Sequence, residues 1–227
     1  MFTPVYIFVI LAFILSLWAQ SKVKGNFKKW SKVPASSGQT GAETARRILN
    51  ENGLYDVPVE PVPGTLTDHY DPTSRVVRLS EPVYYGNSIA SVSVAAHEVG
   101  HAIQHQQSYG ALTLRHKMVP VVGFTSGVAP FLLLGGFFLQ AFSLIGLGII
   151  LYSAAVLFQV VTLPVEFNAS SRAKKQMLSE GLIRNNEERG VNKVLGAAAL
   201  TYVAAALISV FELLNLVLIF FQGSSDD

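Results

Sequence analysis

Long uncharged apolar runs alternate with short polar segments along this chain. Residues 1–21 and 118–165 contain no Asp, Glu, Lys or Arg, and residues 194–225 contain only Glu212. A membrane-spanning helix needs about 20 apolar residues. The runs therefore predict one, two and one spans, near residues 3–20, 118–139, 142–163 and 197–221. The predicted protein is mainly α-helical and polytopic. An anchor occupies 1–20, a polar segment 21–117, a transmembrane hairpin 118–163, a second polar segment 164–196, a fourth span 197–221 and an acidic tail 222–227.

The polar segments have their own periodicities. Residues 21–34 are basic and read as a juxtamembrane linker. Thr40-Gly41-Ala42-Glu43 has the spacing of a capping box and opens a short helix with Ala42, Ala45, Ile48 and Leu49 on its apolar side, stopped at Gly53. Pro58, Pro61, Pro63 and Gly64 allow the next stretch to be an edge strand at best. Residues 66–70 and 75–79 flank the turn sequence Asp71-Pro72-Thr73-Ser74 and predict a hairpin. Asn87 or Ser88 can cap a helix reaching about Gln106, apolar on several sides and so buried. Pro164 suits a helix start, with one helix over 166–178. Neither polar segment is large enough to stand alone. The two are expected to pack into one small α+β portion.

Charge changes this picture by orienting it. Only 14% of the 227 residues are charged, against about 25% in soluble domains. All 17 Lys and Arg lie between Lys22 and Lys117 or between Arg172 and Lys193. Positive residues collect on the cytoplasmic side, and an even number of spans puts both basic segments on that side. The N- and C-termini and the turn at Gln140 then face outward. The first apolar run lacks the preceding positive charge of a cleavable signal peptide, which favours a retained anchor. There is no Cys, so disulfides and thiolate ligands are excluded. The expected partners are the lipid bilayer and a peptide or membrane-protein substrate, with a homo-oligomer or a membrane-protein partner compatible and no nucleic acid.

The chemistry concentrates in His97-Glu98-Val99-Gly100-His101. Residues four apart on a helix share a face, so both imidazoles can address one ion, and the intervening Glu lies beside it. Zinc bound this way needs a third protein ligand and keeps one position open. Glu98 can serve as the general base. A buried helix otherwise made of Ala, Val, Ile and Gly has few other partners for two His and a Glu.

Several residues could complete the ligand set. The motif with a third His one turn beyond a Gly is ruled out, because Gln104 and Gln107 stand at those positions. His105 lies too far around the helix and reads as a supporting or surface residue. His69, in the hairpin, is the best histidine candidate. Glu166 is better placed: the transmembrane hairpin must return the chain to the side it left, so Glu166 emerges beside the 97–101 helix despite 64 intervening residues. A carboxylate capping the first turn of a helix is the competing reading of Glu166. Candidate stabilisers of a tetrahedral oxyanion are His69, Tyr70, Tyr84 and Arg172. The strand ending at Leu79 precedes the motif helix, where zinc peptidases hold substrate as an added strand. Glu212 is a costly carboxylate inside a span.

The segments Asn52-Gly-Leu-Tyr-Asp-Val-Pro-Val-Glu60, Leu66-Thr-Asp-His-Tyr-Asp-Pro72, Val77-Arg-Leu-Ser80, Val83-Tyr-Tyr-Gly-Asn-Ser88, Ala95-Ala-His-Glu-Val-Gly-His-Ala-Ile-Gln-His105 and Leu163-Pro-Val-Glu-Phe-Asn-Ala-Ser170 resemble the YugP-like neutral zinc metallopeptidases of bacterial membranes. The layout is also similar to the HtpX-like and CAAX-processing membrane metallopeptidases. The resemblance implies a zincin-like, gluzincin-type catalytic portion in a bacterial cytoplasmic membrane, facing the cytoplasm, with one Zn(2+) per chain. It implies His97, His101 and Glu166 as ligands and Glu98 as base. Such enzymes have an Asp four residues after the ligand Glu to orient a ligand His. Here that position is Ser170, with Asn168 as another contributor. The function expected is hydrolysis of peptide bonds near the cytoplasmic surface. The competing reading is a zinc-stabilised membrane scaffold or quality-control adaptor without turnover, which would have no use for Glu98.

Overall fold

A computed structural model of the protein describes residues 4–223. The ends of the expected anchor and acidic tail, residues 1–3 and 224–227, lie outside the described residues. The elements in chain order are α1 (Tyr6–Trp30), α2 (Gly41–Glu51), β1 (Val59–Val62), β2 (His69–Asp71), β3 (Val76–Ser80), α3 (Glu81–Tyr84), α4 (Ile89–Gln106), α5 (Gly110–Leu139), α6 (Phe142–Ser179) and α7 (Glu188–Gly223). The fold is mainly helical, with one small sheet. Helices α1, α5 and α6 are long and apolar enough to cross a membrane, as is the helical stretch Asn185–Gly223 that contains α7.

Residues 4–18, 113–164 and 201–223 form one unit. Its helices leave large apolar side chains open: Phe131 is 76% exposed, Phe138 85% and Ile150 67%. Burying such side chains is favourable by about 1.5–3 kcal/mol each, so this many left open suits a hydrocarbon surrounding. Glu212 lies half-buried on α7, three positions before the buried Asn215.

Residues 19–112 and 165–200 form the second unit. Thr40 and Glu43 complete the capping box of α2 in both directions, and Ser88 caps α4 by accepting from the Ser91 amide. The Asp71 carboxylate accepts from the amides of Thr73 and Ser74 and shapes the turn between β2 and β3. The sheet has the order β1-β3-β2, with β1 parallel and β2 antiparallel to β3. Ile48, Leu49, Leu79, Ile89, Ile103 and Met177 are wholly buried in the core of this unit.

Three expectations change. The strand ending at Leu79 is β3, flanked on both sides, so it cannot accept an added strand; the outer strands are β1 and β2. The hairpin signal was local, whereas the pairing of β1 beyond it joins a Pro-containing segment to β3 across the fold. Pro164 lies inside α6 and does not start a helix. A proline costs a helix one hydrogen bond, and apolar surroundings penalise any further break. Residues 21–30 continue α1 and do not form a linker, because Lys and Asn in this stretch are compatible with helix even though they end the apolar run.

Candidate metal centre

Helix α4 carries the two histidines and α6 the carboxylate. The helices meet closely at Gly100, where a Cβ would lie 2.7 Å from the Ala169 carbonyl oxygen. A side chain at position 100 would hold them apart, so Gly100 lets Glu166 reach His97 and His101. Glu166 Oε2 stands 3.3 Å from His97 Nε2 and 3.6 Å from His101 Nε2. The two rings are edge-to-face, with centroids 4.8 Å apart. The three donor atoms lie within 4.8 Å of one another, the one such group among the described residues.

Burial decides the electrostatics. Glu166 is only 3% exposed and Glu98 8%. Burial pushes the Glu166 pKa up, but hydrogen bonds and charge from His101 and His97 outweigh it and hold the carboxyl well below its ordinary range. Burial pushes the His101 pKa down, and the Glu166 and Glu98 carboxylates with Gln104 outweigh it, so the ring titrates above its usual value. A buried carboxylate facing two imidazole nitrogens calls for a cation. Two nitrogens and one oxygen suit zinc. The donor set fits the metal.

The other candidate residues fall into three places. Ser170 Oγ lies 3.2 Å from His97 Nδ1, on the far side of that ring from Glu166. Asn168 and Arg172 are joined, the guanidinium Nε donating to Asn168 Oδ1 at 2.6 Å. Tyr70 on β2 meets His105 on α4, hydroxyl to Nδ1 at 2.9 Å, which ties the outer strand to the motif helix. His69 is exposed, its Nδ1 2.9 Å from the Thr67 carbonyl, and is not in the donor group. Tyr84 lines a separate hollow with Ala42, Arg46 and Val59.

Two residues near the site carried no sequence signal. Gln104 is wholly buried, with Oε1 3.0 Å from His101 Nδ1. Its position one turn beyond a motif histidine was visible, but its burial was not. Asp68 accepts from the Ser80 amide at 2.7 Å and from its hydroxyl. Burial raises the Asp68 pKa against the lowering effect of the Ser80 hydrogen bonds, and the charge of Glu98 adds to the rise.

Two imidazoles one helical turn apart, a buried carboxylate from a second helix and an adjacent glutamate are the donor chemistry of zinc hydrolases. The chain belongs to the family described as "Putative neutral zinc metallopeptidase", which matches residues 5–221. It is 73% identical over 223 residues to the "Putative membrane protease YugP" of Bacillus subtilis (strain 168), across 98% of this chain and 99% of that protein. No solved structure matches it. The resemblance read from the sequence segments is therefore to the right family.

Proposed function

We propose that this protein is a membrane-embedded zinc metalloendopeptidase that cuts membrane proteins or peptides near the cytoplasmic surface, with His97, His101 and Glu166 as ligands of one zinc ion and Glu98 as general base. The observation that carries this reading is the convergence of the three donor atoms within 4.8 Å, with Glu98 adjacent to His97 in the motif. When bound, zinc acts as a Lewis acid that polarises a carbonyl and makes water more acidic.

The protein's own groups do the rest. Glu98, almost buried, takes a proton from water on the ligand side of α4 and can return it to the departing amine. Ser170 and Gln104 hold the outer edges of the two rings. The outer edge of β2, tied to α4 through Tyr70 and His105, offers main-chain groups along which an extended peptide can lie. Arg172 is held by Asn168 and Gln107, which supports a positioning part for it more than direct contact with an oxyanion. Membrane placement is supported by the four long apolar helices and by the membrane-protease relative. The cytoplasmic side is supported by the distribution of Lys and Arg. Position near the surface is supported by Glu166 being the first charged residue after the apolar run 118–165.

The test compares Glu98→Gln with the parent, both purified and zinc-loaded, on an unfolded or membrane-anchored substrate. Loss of a general base should slow cleavage by about 10²–10⁴-fold with zinc content unchanged. Equal cleavage by the two proteins would refute the mechanism.

A further inference from the structure

Behind the donor group runs a chain of polar side chains. His101 Nδ1 is 3.0 Å from Gln104 Oε1. Gln104 Nε2 donates to the Val165 carbonyl at 2.8 Å and to Asn168 Oδ1 at 2.9 Å. Asn168 Oδ1 also accepts from Arg172 Nε at 2.6 Å, and Arg172 Nη1 donates to Gln107 Oε1 at 2.6 Å.

The direction of this chain is set from both ends. A main-chain carbonyl only accepts, so Val165 must face the Gln104 NH₂ group. A guanidinium only donates, so Asn168 must present its oxygen to Arg172. Both protons of Gln104 Nε2 are then committed, and Oε1 is the atom facing His101. An amide oxygen can only accept, so His101 Nδ1 keeps its proton, and Nε2, on the side of Glu166, is the nitrogen left to give up its proton to a metal. Gln104 is fully buried, so no bulk water competes for these bonds. The contrast is His97, whose outer nitrogen meets the Ser170 hydroxyl. A hydroxyl donates or accepts and imposes no tautomer.

We propose that Gln104 is a positioning residue that locks His101 in the metal-ready tautomer, and that Asn168, held by Arg172, keeps Gln104 from turning over. This rests on the zinc reading above. Partners of this kind affect metal affinity by about 10–100-fold.

The experiment measures zinc affinity by chelator competition and the visible spectrum of the cobalt-substituted protein, using the full chain in detergent. Gln104→Met, of similar size without donor or acceptor, should weaken zinc binding by about 10–100-fold and alter the cobalt spectrum. Asn168→Leu should weaken it in the same direction, whereas Asn168→Asp, which keeps an acceptor for both Gln104 and Arg172, should restore affinity towards the parent. Parental affinity and spectrum in Gln104→Met overturn the inference, as does an Asn168→Asp protein no better than Asn168→Leu. Should Gln104→Met fail to fold, the Asn168 pair, at a partly exposed position, decides alone. A parent that takes up no zinc, or a Glu166→Ala protein with parental affinity, overturns the ligand assignment and this inference together.

Discussion

His101 and Glu166 titrate against each other, and that pair contributes to how the metal-free protein responds to pH. Burial works against the Glu166 carboxylate, yet the two histidines hold its pKa below the ordinary 4.5. Its contribution to stability is full above that value and is lost as pH falls through the depressed pKa. Burial works against a charged His101, yet Glu166 and Glu98 hold its pKa above the ordinary 6.5. Its contribution is full below that value and is lost as pH rises through the raised pKa. The pair should therefore stabilise the chelated protein against heat most fully between pH 4.5 and 6.5, and Glu166→Gln should remove that contribution from the profile. Thermal midpoints across the pH range check this; a parent that grows steadily more stable towards alkaline pH contradicts it. At this scale the donors were legible, because a His-Glu-x-x-His spacing states its geometry outright. Gln104 was not. A glutamine near a helix end looks like solvent-facing polarity, and only the covering α6 segment makes it a buried partner of His101.

The crossing of α4 and α6 is an element-scale feature with a single weak point. Gly100→Ala would set a methyl 2.7 Å from the Ala169 carbonyl, and forcing such a contact typically costs about 1–3 kcal/mol. The variant should lose zinc affinity and melt several degrees lower while Glu166, His97 and His101 are all intact. Zinc content per chain and the thermal midpoint measure both; an unchanged pair of values sinks this account of the glycine. Local signals read the elements well where they were chemical. Thr40 with Glu43, Ser88 and Asp71 each mark a cap or turn that the fold uses. They failed where the deciding contact was distant. The Pro-containing segment forms the edge strand that its prolines allow, but its parallel pairing with β3 is invisible to a local hairpin signal, and it makes the strand ending at Leu79 the central one. Pro164 reads as a boundary in isolation, yet α6 passes through it.

Across the whole molecule the strongest expectation is sidedness, because hydropathy and the Lys and Arg distribution point the same way. The chain has no Cys, so single introduced cysteines are clean reporters. A cysteine at Gln140, in the turn between α5 and α6, should react with an impermeant maleimide in intact cells. One at Gln176 should react only after the membrane is opened. The reverse pattern would place the metal centre outside. The long apolar runs made four helices long and apolar enough to cross a membrane legible from hydropathy alone, and the packing of the two polar stretches into one unit was expected as well, whereas the contacts that join them needed coordinates.

The split of the donor set between α4 and α6 also has a consequence for biosynthesis. His101 leaves the ribosome 65 residues ahead of Glu166, which at about 5–20 residues per second is a lag of some 3–13 s. During that interval the nascent chain carries the two imidazoles and Glu98 without the Glu166 carboxylate. Most of the intervening residues are those of the hairpin. On the proposed ligand set, a chain stalled before the second polar stretch emerges lacks a finished centre, because its carboxylate is made last.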